Sequence, residues 1–174
     1  MGFRQERILK PNNIPNSLWS ERESTLFIPP LLADAYEQLI DSKGLRELGC
    51  NRPKGSGPVG GLTQEECDTH FAQAFDGSSA RALLALLDPK SEAGSTSDMF
   101  LRCLAGGNIC FTDAPCGAGA AAFTFLTAIA QLRAENVLPR TPLHIQLIGA
   151  EISEYARGHA ENVLKLIQDN LADQ

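Results

Sequence analysis

Asn108-Ile109-Cys110-Phe111-Thr112-Asp113-Ala114-Pro115-Cys116-Gly117-Ala118-Gly119 is the stretch that decides how this chain is read. Ile109 and Phe111 alternate with small or polar neighbours, the two-residue period of a β-strand, and the strand ends on an acid, Asp113. Gly117 and Gly119 then allow a tight turn and a close backbone approach to a ligand. The Ala-rich segment that follows predicts a helix from Ala120 to Asn136, whose first amide N–H groups are free to meet polar or negative ligand groups.

Working outward, Pro139 and Pro142 bracket a connection, and Leu143-His144-Ile145-Gln146-Leu147-Ile148-Gly149 predicts a second strand. Glu151 stands at its tip, and Ser153 caps a last helix running to about Leu171. This is β-α-β-α, the parallel crossover unit of open α/β sheets, in which ligands sit beyond the carboxyl ends of the strands. Asp113, the Gly117–Gly119 backbone and Glu151 converge there. A carboxylate at the second strand tip can accept hydrogen bonds from two ribose hydroxyls, and one at the first can neutralise or orient a cation. A nucleoside-like ligand suits that arrangement.

Upstream the pattern is helical. Residues 1–29 hold Pro11, Pro15 and Pro29 with little periodicity and read as an extended arm anchored by Trp19 and Phe27. In residues 30–106, Leu31, Leu32, Ala35, Tyr36, Leu39 and Ile40 recur at helical spacing, and Gly44 or Gly49 stops the run. Arg52 to Gly61 is a Gly/Pro-rich linker, or a loop that covers a ligand. Thr63-Gln64-Glu65-Glu66 fits a capping box and predicts a helix to about Phe75. Asp76-Gly77-Ser78-Ser79 reads as a break that caps another helix, ended by Asp88-Pro89, and a further short helix is expected from Ser97 or Asp98 to Gly106. Phe71, Phe75, Leu83 and Leu86 are expected in the helical core, with Ser78, Ser79 and Arg81 as candidates for a cap over a cofactor.

Residues 107–174 make up the last unit, and about residues 105–170 of the chain resemble the class I S-adenosylmethionine-dependent methyltransferases. Their first motif has an acid at the end of the first strand and glycines two, four and six residues later; Asp113, Gly117 and Gly119 match the acid and the last two glycines, while Pro115 stands at the first. Gly149-Ala150-Glu151-Ile152-Ser153 is similar to the family's second-strand acid, the apolar residue beside adenine, and a capping Ser. The resemblance implies an incomplete Rossmann-like sheet that binds S-adenosylmethionine through Asp113, Ala114, Pro115, Cys116, Gly117, Gly119, Glu151 and Ile152. Gly119 and Glu151 lie further apart than the ~20 residues usual in the related dinucleotide fingerprint. The family's sheet has seven strands and draws its acceptor-binding and catalytic residues from segments beyond the fourth. Catalytic residues are therefore not assigned, and a homo-oligomer or a complementary subunit is expected to cover the unpaired edges.

Two other readings stand beside this one: a noncatalytic scaffold subunit that keeps a degenerate methyltransferase half, and a fragment of an NAD-type oxidoreductase using Gly117-x-Gly119-x-x-Ala122. No Gly-Lys-Ser/Thr follows the glycines, which excludes a Walker phosphate loop. The net charge of −6 and the lack of Lys/Arg clusters leave a nucleic-acid partner unsupported. The apolar run Ala118–Ala130 is too short to span a bilayer and the first ten residues hold no signal core, so the chain reads as soluble and cytoplasmic. The five cysteines lack metal or disulfide spacing and are expected to be reduced and mostly packed; Cys116, at a helix start, is expected as a packed or cofactor-facing thiol. His70, His144 and His159 lie far apart and show neither a metal nor a triad pattern.

Overall fold

The computed structural model describes residues 6–51 and 60–172. A 3-10 turn at Pro11–Asn13 is followed by strands β1 (Trp19–Ser20) and β2 (Thr25–Leu26) and helices α1 (Pro30–Ser42), α2 (Arg46–Cys50), α3 (Gln64–Leu87) and α4 (Gly94–Ala105). Then come strand β3 (Asn108–Asp113), helix α5 (Ala120–Ala134), strand β4 (His144–Gly149) and helix α6 (Glu154–Ala172). The architecture is mixed α/β and mostly helical.

The Thr63 hydroxyl accepts the Glu66 N–H while the Glu66 carboxylate accepts the Thr63 N–H, so α3 starts with the capping box that its sequence encodes. The helix does not break at Asp76-Gly77-Ser78-Ser79, contrary to expectation. Burial explains why. Phe71, Phe75, Ser79, Leu83 and Leu86 lie on one side of the helix and are all 3% exposed or less. A Gly inside a helix costs about 1 kcal/mol, whereas burying a single Leu or Phe contributes about 1.5–3 kcal/mol. The run ends at Asp88, in the left-handed region at φ 43°. Similarly α1 stops at Ser42, with Gly44 at φ 66° making the turn into α2. Helix α4 begins at Gly94, a few residues earlier than its sequence indicated.

Residues before α1 form more than an extended arm, since β1 and β2 pair as a short antiparallel hairpin. Leu9, Leu18 and Trp19 are buried with Leu83, Leu86 and Leu132, whereas Phe27 is 38% exposed. Trp19 is thus an anchor and Phe27 is not. A second cluster joins Leu32, Leu39, Phe71, Phe75, Phe123 and Val163 from α1, α3, α5 and α6. Because α3 and α5 contribute to both clusters, they tie the N-terminal helices to the β3–β4 sheet.

Strands β3 and β4 are parallel, in register from Asn108 opposite His144 to Asp113 opposite Gly149. Ile109 and Phe111 face α5, with the Phe111 and Phe125 ring centroids 5.6 Å apart. On the other face Cys110, Thr112, Gln146 and Ile148 are exposed. Cysteine packing follows this pattern and differs from the expectation: Cys67 is buried and Cys116 half-buried, but Cys50, Cys103 and Cys110 are exposed. Among the described residues no helix is long and apolar enough to cross a membrane.

Candidate functional site

Parallel pairing brings the ends of β3 and β4 side by side, and the loops beyond them continue the contact. The Ala150 N–H donates to the Asp113 carbonyl (2.9 Å), and the Cys116 N–H to the Ala150 carbonyl (3.0 Å). Asp113 and Glu151 therefore lie at the same end of the sheet. Glu151 braces this end, since its Oε2 accepts the Gly117 N–H (3.0 Å) and its Oε1 the Ser153 N–H (2.9 Å). One carboxylate holds both the glycine turn and the entry to α6. Ser153 performs the capping expected of it, its Oγ accepting the Ala156 N–H at 3.4 Å.

Asp113 sits under the first turn of α5. One of its oxygens, Oδ2, is buried without a hydrogen-bond partner. Burial pushes its carboxyl above the usual range, partly opposed by the Ala122 N–H at the helix start. The neighbouring Cys116 thiol is pushed up by burial and then by the charges of Asp113 and Glu151. These effects outweigh any helix-terminus activation of that thiol.

A cavity of about 550 Å³ opens at this end. Of the residues read from the sequence as cofactor-binding, Asp113, Pro115, Cys116, Gly117, Glu151 and Ile152 line it. Ile152 is at the rim, 82% exposed. Ala114 and Gly119 do not line it. Ala114 is exposed, joined to Pro115 by a cis peptide. Gly119 is buried at φ 79° with the Phe123 ring where a Cβ would lie, so its place is one of packing. Gly117, at φ 52°, has open space at the corresponding point.

The opposite wall belongs to α3 and α6, and of its residues Ser78 alone was read from the sequence as a candidate beside a cofactor. His70, Phe71, Phe75 and Ser78 line it from α3, and His159 from α6. Their helical spacing marks one face of α3, but only the fold shows that this face meets the strand ends. Of the other residues considered for a cap, Ser79 is buried and Arg81 is exposed, donating to the Ser78 hydroxyl at 3.0 Å. From the Gly/Pro-rich loop, Gly60 and Gly61 line the cavity. The loop's residues 52–59 lie outside the described residues.

His159 is only 1% exposed, and its ring stacks on Phe71 with centroids 4.6 Å apart. Its Nε2 lies 2.7 Å from Asp68 Oδ1, but neither ring nitrogen makes an aligned hydrogen bond. Burial, and then Lys43, lower its pKa against the opposing pull of Asp68. Burial likewise lowers that of His70, with Glu151 opposing. Among the described lining residues there is no Lys or Arg, while two carboxylates face the space. The cavity is thus suited to a neutral or cationic molecule more than to an anion. In comparisons with protein-family models, curated proteins and solved structures, the chain matches none of them.

Proposed function

We propose that this cavity binds S-adenosylmethionine and that β3, α5, β4 and α6 are the first unit of a Rossmann-like methyltransferase sheet. The observation that carries the proposal is the shared cavity of Asp113, Glu151 and the Gly117 turn at the carboxyl end of two parallel strands. Its volume of about 550 Å³ falls in the range of small-molecule sites. The residues fit the ligand chemically. The Asp113 carboxylate, which lines the cavity, would receive an ammonium or amine N–H of the ligand. Glu151 keeps lone pairs for ribose hydroxyls beyond those given to Gly117 and Ser153. When bound, the sulfonium supplies an electrophilic methyl group, and two carboxylates suit its positive charge. The same charge pattern disfavours the pyrophosphate of a dinucleotide, which ranks an NAD-type oxidoreductase lower.

Calorimetric titration of the purified chain with S-adenosylmethionine, S-adenosylhomocysteine and NAD tests this reading. Binding of the two sulfur nucleosides, weakened at least tenfold by Asp113→Ala, is expected. No binding of either, or NAD binding alone, refutes it. A second reading, a noncatalytic interaction subunit, is favoured by the exposed Cys110, Thr112, Gln146 and Ile148 on the sheet face away from α5. It requires a homo-oligomer or a complex with a complementary subunit, and a well-folded strict monomer by light scattering, with no co-purifying partner, excludes it.

A further inference from the structure

Much of the α3–α6 wall is closed to a ligand, since Phe71 and Phe75 are 3% exposed or less and both ring nitrogens of His159 are buried without a partner. His70 is different. It lines the cavity from α3, is half-buried, and has neither ring nitrogen enclosed in that way. The groups around it set its charge. Glu151, from the β4–α6 connection, acts on it through its carboxylate. Asp113 and Cys116 line the same space from the β3–α5 turn, Cys67 from the helix of His70 itself, and His159 from α6, with Asp68 beside its Nε2. Arg157 stays outside the lining, tied to the Glu151 and Ile152 carbonyls. Burial, opposed by Glu151, holds the His70 ring below its usual range and so keeps it neutral at physiological pH. Among the described lining residues there is no Lys or Arg and His159 is shut in, so a proton on His70 is the positive charge that the cavity gains on mild acidification.

We propose that His70 sets the preference of the cavity for a sulfonium over the thioether that remains once the methyl group has gone. With His70 neutral, Asp113 and Glu151 attract the sulfonium and no positive side chain of the described lining competes for them. With His70 protonated, the imidazolium meets the same carboxylates and repels the sulfonium. A thioether, neutral at sulfur, is indifferent to that proton. The preference therefore falls as pH falls through the titration of this ring. The effect acts through space, so it requires a charge facing the cavity and no contact between ring and ligand. The proposal rests on reading the cavity as an S-adenosylmethionine site, and it adds how that site tells cofactor from product.

The test uses the full chain with S-adenosylmethionine and S-adenosylhomocysteine, which share every group except the methyl on sulfur and its charge. Affinities are measured by calorimetry at pH 7.5 and at a pH below the His70 titration, which is read from the histidine ring signals by NMR. In wild type the ratio of S-adenosylmethionine to S-adenosylhomocysteine affinity should fall about fivefold between the two, and in His70→Gln by less than about twofold. Titration of the amine common to both ligands cancels in that ratio, and the change left in His70→Gln reports Asp113. By linkage, wild-type His70 should titrate at a lower pH with the sulfonium bound than with the thioether bound. In the free protein, Glu151→Gln should lower the His70 titration, because the charge that opposes burial is gone. If a variant does not fold, the wild-type comparison of the two bound states decides. A ratio that stays constant in wild type, or falls equally in His70→Gln, overturns the proposal and leaves the cofactor assignment standing, as does a His70 titration unmoved by Glu151→Gln. Binding of neither nucleoside overturns both.

Discussion

Gly119 and Gly117 occupy similar places in the sequence motif, and the structure gives them different jobs that a pair of substitutions should separate. Both have positive φ, 79° and 52°, so an alanine at either carries the left-handed penalty of about 1–2 kcal/mol. At Gly117 the added methyl meets nothing within 4 Å, and that penalty is the whole effect. At Gly119 it would lie 2.3 Å from Cε2 and 2.8 Å from Cζ of Phe123. A flexible exposed ring could swing away, but Phe123 is 3% exposed and packed in the cluster with Phe71 and Phe75. Overpacking a core of this kind adds about 1–3 kcal/mol. Gly119→Ala should therefore lose about 2–5 kcal/mol and Gly117→Ala about 1–2 kcal/mol, against a typical total of about 5–15 kcal/mol. Urea unfolding followed by far-UV circular dichroism and by Trp19 fluorescence measures both; Trp19 lies in the other cluster and reports whether the loss is global. Equal losses, or a Gly119→Ala loss below that of Gly117→Ala, would refute the packing role assigned to Gly119.

Two further outcomes follow from charges. The Asp113 carboxyl is raised by burial, so between its unfolded value near 3.8 and its folded value the native state binds more protons and stability falls as pH rises. Asp113→Asn should leave stability unchanged below that window and increase it above, measured as the urea midpoint at pH 3 and pH 7; a lower midpoint at pH 7 would contradict this. Asp88 is 5% exposed at its side chain, stands 3.0 Å from Arg7 and accepts the Glu92 and Ala93 N–H groups through Oδ1. Asp88→Ala should cost about 3 kcal/mol, because it takes the counter-ion from a partly buried guanidinium and the acceptor from two amides, and thermal unfolding that moves by less than the equivalent of 1 kcal/mol would rule this out.

What was legible in the sequence follows the range of the interaction concerned. The capping box of Thr63 and Glu66, the alternation in Asn108–Asp113 and the Ser153 cap all depend on neighbours within a few residues. The common position of Asp113 and Glu151 was legible too, because a helical crossover between two strands implies a parallel pair. The continuity of α3 was not. Asp76-Gly77-Ser78-Ser79 has the local chemistry of a break, and what overrides it is the burial of Phe71, Phe75 and Leu83 against residues distant in sequence. Apart from Ser78, the α3–α6 wall was missed for the same reason. Nothing near His159 in sequence announces that Phe71 will stack on it or that Asp68 will stand beside its Nε2. Gly119 shows the converse, for its motif position pointed to a ligand while its surroundings are filled by Phe123.

Cys116 offers a probe of the site's electrostatics that needs no ligand. A thiol at the start of a helix is ordinarily a candidate for activation, yet here burial and two nearby carboxylates raise its pKa, with Arg157 opposing only in part. Because alkylation proceeds through the thiolate, Cys116 should react more slowly at pH 8 than exposed Cys50, Cys103 and Cys110. Site-resolved mass spectrometry after brief iodoacetamide treatment gives the order. Slow labelling alone could come from poor access, so the decisive comparison is Asp113→Asn, which removes a charge and leaves the volume nearly unchanged. That substitution should speed Cys116 labelling and leave the three exposed cysteines at their former rates. A Cys116 rate indifferent to Asp113→Asn would mean that the carboxylate does not act on the cavity's interior, and the case for a cation beside Asp113 would fall with it.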